Sequence, residues 1–177
     1  VFLILLPFTI NNILENSSHL NKELKKLFFL GFMGCGVCGA FPFLAGMTTT
    51  VTNIGIIYTS SPIFIILISS IFFKEKIFKL QIYGLALCLI GVLLIIIKGK
   101  VSLLVSLKFT SGDLWVLGAA VGWALYAIFL LRWKSKFSFF ARFCLIALLG
   151  SLSLLPFVIV ENILIREINF DKYFYFW

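Results

Sequence analysis

The chain has 177 residues, of which 62% are hydrophobic and only 12% charged, with a formal net charge of +8. A soluble domain of this size carries about twice that charged fraction, so a large water-soluble core is excluded for want of polar surface to cover it. The basic residues fall in short clusters between apolar runs, which fits loops beside anionic lipid and not a nucleic-acid interface.

Residues 1–13 read as the tail of a helix whose start lies outside the sequence. The apolar stretch 1–10 is too short to span and lacks a basic leader, which argues against a signal peptide. Both ends read as truncations of a longer protein. Residues 11–26, with Glu15, Lys22, Glu23, Lys25 and Lys26, are predicted as a polar loop. From Leu27 to Phe73 there follow 47 residues without Asp, Glu, Lys, Arg or His. A bilayer core about 30 Å thick takes roughly 20 helical residues to cross. This run therefore predicts two crossings, one over 27–47 and one from a turn at 48–50 to Phe73. Gly31, Cys35 and Gly39 give the first a face of small side chains suited to close helix approach in lipid. Pro62 lies in the middle of the second and predicts a kink.

Residues 74–79 form a basic turn, and 80–97 a further span with Gly84 and Cys88 four apart. Residues 98–112 are predicted as a polar loop, with Asp113 where a helix N-terminus favours an acidic group. A span over 114–131 carries Gly118 and Gly122. A basic loop follows over 132–142, then a span over 143–160 interrupted by Pro156. The tail 161–177 mixes charges and aromatics, as a re-entrant or interface segment would. The fold class is all-α, a polytopic membrane bundle of five complete spans and one partial one. Cys35, Cys38, Cys88 and Cys144 all lie in apolar runs, and the single His19 lies in a polar stretch. They read as packing residues, not metal or redox ligands.

Alternate loops lie on opposite sides. Lys22, Lys25, Lys26, Lys74, Lys76, Lys79, Arg132, Lys134, Lys136 and Arg142 share one side. The other has Lys98, Lys100, Lys108, Arg166 and Lys172. The positive-inside bias makes the first side, with loops 15–26, 74–79 and 132–142, cytoplasmic.

The stretch 45–137 resembles the EamA family of the drug/metabolite transporter superfamily. Two segments carry the resemblance. The first is TNIGIIYTSSPIFIILISSIFFKEKIFKLQIYGLALCLIGVLLIIIKG, residues 52–99, in which Pro62, Glu75, Gly84 and Gly91 fall on the family's pattern. The second is GDLWVLGAAVGWALYAIFLLR, residues 112–132, similar to the opening helix of the family's second repeat, with Gly112, Asp113, Trp123, Ala124 and Tyr126 in place. The pattern departs at Thr49 and Thr50, where many members have an Ala-Leu step. The resemblance implies ten helices in two five-helix repeats of inverted orientation. Residues 1–99 would then be the end of the first repeat, 100–111 the inter-repeat loop and 112–177 the start of the second. It further implies a secondary transporter of small metabolites, an amino-acid, drug or other small-solute permease or exporter, in a bacterial inner membrane. A non-transport helical subunit or scaffold is the alternative.

No charge lies fully within a predicted span, so a relay of buried carboxylates has no candidate. No metal set, phosphate loop or nucleophilic triad is present, and neither an enzyme nor a cofactor is expected. Expected partners are a small solute and the bilayer, with no nucleic acid and homodimerisation left open. At 100° per residue, Thr49, Asn53 and Ser60 fall within about 40° of one another on a helix. This polar stripe faces either a solute path or a neighbouring helix. Trp123 and Tyr126, in mid-helix, either wall a cavity or pack beside Gly118 and Gly122. Glu75 is either part of an interfacial charge cluster with Lys79 or, by the resemblance, a gating contact between repeats. Pro62 is either a hinge or a tolerated kink.

Overall fold

The computed structural model describes residues 2–97 and 110–164, and every regular element among them is helical. In chain order these are α1 (Phe2–Glu15), α2 (Ser17–Gly31), a π-helical segment (Phe32–Val37), α3 (Cys38–Gly46), α4 (Val51–Thr59), α5 (Ser61–Phe73), α6 (Lys79–Ile97), α7 (Ser111–Arg132) and α8 (Phe139–Leu164). Ser17–Gly46, Val51–Phe73, Ser111–Arg132 and Phe139–Pro156 are long and apolar enough to cross a membrane, and Phe2–Glu15 and Lys79–Gly91 are shorter apolar helices. The protein is a polytopic helical membrane bundle, the architecture that leaves no backbone group unpaired in lipid. Most of the expected inter-repeat loop, and the tail beyond Leu164, lie outside the described residues.

The expected loop over 11–26 is a correction. Its first residues close α1, its last ten open α2, and Asn16 alone separates the two helices. Leu20, Glu23, Leu27 and Leu30 follow one another at helical spacing and make a single stripe. Leu27 and Leu30 are buried against Phe137, Ala141, Leu145 and Ile146. The charges at Lys22, Lys25 and Lys26 are the solvated face of that amphipathic helix.

The expected mid-span kink at Pro62 is also corrected: the span Val51–Phe73 is two helices that meet at Ser60. Pro62 stands in the first turn of α5, where a helix has no use for its missing N–H. The junction is tight. The Ser60 N–H donates to Ile57 O at 3.1 Å, and Ser60 O accepts the Ile63 N–H at 2.8 Å.

Helix α7 lies against the π-helical segment, α3, α4 and α5, while α8 lies against α1, α2 and the π-helical segment. The buried face of α7 includes Val116, Ala119, Ala120, Gly122, Ala124 and Ile128. Small residues there let backbones approach, which is how helices associate in lipid. A Cβ on Gly122 would stand 2.8 Å from Val37 Cγ1, and one on Gly31 only 2.6 Å from the Gly150 backbone nitrogen. Gly39 and Gly84 meet nothing within 4 Å among the described residues, so the face expected at Gly31, Cys35 and Gly39 is in contact through its first two positions alone.

Polar contacts gather at two opposite ends. At one, Glu23 accepts the Ser135 hydroxyl at 2.5 Å and the Lys136 N–H at 3.1 Å, and Asn12 Oδ1 accepts the Ser138 N–H at 2.9 Å. At the other, Gly112 lies so close beneath the Ala45 carbonyl that a Cβ would stand 2.6 Å from its oxygen.

Gly31→Val should force α2 from α8, because the obstructing atoms are backbone and cannot yield. We expect a loss of about 1–3 kcal/mol, the usual cost of overpacking, read as a lower unfolding temperature in detergent. Gly55→Ala, with open space around it, should leave that temperature within error.

Candidate functional site

Three groups of side chains are set along the contact between α4/α5 and α7. The first is at the start of α7. Thr110 and Asp113 form a capping box there, the Thr110 N–H donating to Asp113 Oδ2 at 2.7 Å. Asp113 is 1% exposed. Its Oδ1 accepts the Thr49 hydroxyl at 2.5 Å, and the Asn53 amide donates to Oδ1 at 3.2 Å and to Oδ2 at 3.3 Å. Asn53 is buried as well. Asp113 therefore sits in the first turn of the helix Ser111–Arg132, one residue ahead of the span expected over 114–131. Among the described residues its partners are neutral donors, with no cation. Removing a carboxylate from water costs several kcal/mol. Hydrogen bonds to a charged group each return about 1.5–3 kcal/mol, and the positive end of a helix favours the charge further.

The second group surrounds the α4–α5 junction. A cavity of about 310 Å³ is lined by Ile56, Ile57, Thr59, Ser60, Ile63, Leu89 and Leu117. The Thr59 hydroxyl donates to Gly55 O and Ile56 O, and the Ser60 hydroxyl to Ile57 O. The hydroxyls among the described lining residues are thus engaged by their own helix. What remains facing the cavity is aliphatic.

The third group is at the far end of α7. Glu75 pairs with Arg132, whose guanidinium carbon stands 3.7 Å from the centre of the Phe73 ring. Phe129 meets Phe73 edge-on at 6.2 Å and stacks on Trp133 at 4.5 Å. Lys74 takes a left-handed conformation (φ 54°), ends α5 and turns the chain so that the Glu75 N–H reaches Ser69 O. The side chains of Arg132 and Glu75 remain 35% and 55% exposed. An exposed pair of this kind contributes about 0–1 kcal/mol.

The structure brings Thr49 and Asn53 together on Asp113 and leaves Ser60 apart. Thr49 precedes α4, whose N-cap is Thr50, and Ser60 is the junction residue, so the three do not share a helical face. Trp123 and Tyr126 have rings 5.5 Å apart. Tyr126 lies over Gly34, Trp123 is 40% exposed, and neither lines the cavity. Glu75 pairs with Arg132 across to α7. Cys35 packs against Gly150, and the Cys38 thiol donates to Ala119 O at 3.4 Å, both ordinary packing roles. Asp113 was legible as a helix-start residue but not as the group that Thr49 and Asn53 enclose. Its signal was there in the capping-box pattern Thr110–Asp113.

A multi-pass bundle with a polar junction at each end of one central helix is the frame of an integral membrane protein. More specifically, the sequence profile of the EamA-like transporter family matches residues 1–97, and the chain belongs to that family. It is 30% identical over 128 residues to the "Uncharacterized transporter YyaM" of Bacillus subtilis (strain 168), covering 72% of this chain and 41% of that protein. An "Uncharacterized transporter" of Archaeoglobus fulgidus is 26% identical over 137 residues, covering 77% of this chain and 47% of that protein. The chain thus spans less than half the length of these relatives. No solved structure matches it.

Thr49→Val removes one charge-assisted hydrogen bond and should cost about 1.5–3 kcal/mol. Asp113→Asn should cost at least as much. Combined, the two should lose clearly less than the sum of the single losses, as measured by unfolding of each variant in detergent. Strict additivity would mean that the two groups do not act as one unit.

Proposed function

We propose that the full-length protein is a secondary transporter of small metabolites, working by alternating access between two inverted five-helix repeats. Residues 1–99 supply the end of the first repeat, 100–111 the connection and 112–177 the start of the second. One observation supports the reading: an interrupted helix, α4/α5, borders a cavity with Leu89 of α6 and Leu117 of α7, the latter a helix that this reading assigns to the other repeat. Substrate sites of such transporters lie near the midplane beside discontinuous helices.

The cavity also bears on the solute. Its aliphatic lining and pre-engaged hydroxyls favour a neutral, largely apolar solute, since unpaired charges would lose their hydration there. The excess of Lys and Arg around 15–26, 74–79 and 132–142 supports a cytoplasmic location for that end, in a bacterial inner membrane. The names of both relatives favour transport over a scaffold role.

The test compares small-molecule pools inside and outside cells with and without the full-length gene, followed by flux of whichever solute changes. Leu117→Trp, which fills the cavity, should lower that flux at least tenfold at equal membrane abundance. Unchanged flux would remove the cavity from the path.

A further inference from the structure

We propose that Asp113 is a latch that closes the outer end of the path, opposed by the Glu75–Arg132 pair at the inner end. The proposal rests on the transport reading above. Both contacts belong to α7. Asp113 is in its first turn and Arg132 is its last residue, an interval that spans about 28 Å at 1.5 Å per residue, close to the roughly 30 Å of a bilayer core.

Their partners also belong to one body. Thr49 and Asn53 stand at the start of α4, and Phe73 and Glu75 at the end of α5. Two polar contacts therefore fasten the same pair of bodies at opposite membrane surfaces. Between them the contact is apolar, includes the cavity and faces a helix already divided at Ser60. Alternating access requires that one end part while the other holds.

The two contacts are unequal in a way that sets a direction. At the outer end the carboxylate is buried, and all its described partners are donors from the protein. Withdrawing Thr49 and Asn53 strips a buried charge of its hydrogen bonds before water can replace them. At the inner end both ions already touch water, so parting them costs little. The resting protein should therefore open inward, and weakening Asp113 should reverse that preference.

The test uses full-length protein bearing Ile56→Cys in the cavity wall. A membrane-impermeant maleimide is applied to intact cells and to inverted vesicles, and modification at position 56 is read peptide by peptide in mass spectrometry, so the native thiols need no replacement. Labelling should come mainly from the cytoplasmic face. Asp113→Asn should raise labelling from outside at least fivefold and lower it from inside. Thr49→Val should act in the same direction, more weakly, and it stands in should Asp113→Asn fail to accumulate. Glu75→Gln should raise labelling from inside.

An equal rise on both faces marks a merely loosened fold and overturns the proposal, as does an unchanged ratio. A shifted ratio in a protein that moves no solute would keep the latch and remove the transport reading. Measurable flux with no shift would do the reverse.

Discussion

A buried carboxylate with no cation beside it among the described residues has to be held by donors from several places at once. Asp113 takes a backbone N–H from its own helix start, a hydroxyl from the turn before α4 and an amide from α4 itself. Meeting that demand fixes where α7 begins, how the α3–α4 turn is folded and which way the first turn of α4 faces. The close passage of Gly112 under the Ala45 carbonyl follows from it, since any side chain there would push α7 off the turn. The register of α7 along α3, α4 and α5 is set from this end.

Beyond the polar junction, contact depends on shape. Helices in lipid gain little from burying apolar surface against one another, so they associate where backbones come near. The small residues of α7 and the Gly31–Gly150 contact supply that closeness. Larger side chains gather at the far end, where Phe29, Phe129 and Trp133 pack on one another and Phe73 meets both Phe129 and the Arg132 guanidinium. The long axis thus runs from a dense polar knot, through an apolar region that includes a cavity, to an aromatic and charged cluster that water reaches.

Much of this was legible in the sequence. The uncharged run from Leu27 to Phe73 located two crossings and the turn between them. The misreadings have physical causes. Residues 17–26 were weighed by charge when the spacing of Leu20, Leu27 and Leu30 already described an amphipathic helix. Pro62 was assigned a kink because composition does not reveal where a helix restarts. The helical projection of Thr49, Asn53 and Ser60 assumed a continuity that the Thr50 cap and the Ser60 junction both break. Asp113 was assigned to a helix end, correctly, but nothing in one dimension indicated that two residues some sixty positions earlier would enclose it.

The π-helical segment bears on how the chain can vary. A turn closed by i→i+5 bonds holds one residue more than an α-turn, and so rotates everything after it by roughly 100° about the axis. Gly31, just ahead of it, and Cys35 within it meet Gly150 on α8; Val37, its last residue, and Phe41 beyond it meet Gly122 and Gly118 on α7. One continuous crossing thereby serves two neighbours on different sides. Deleting a single residue within 32–37 would turn the α3 half away from α7 while leaving the α2 half seated. Length in that short stretch is therefore constrained as tightly as the identity of any side chain within it.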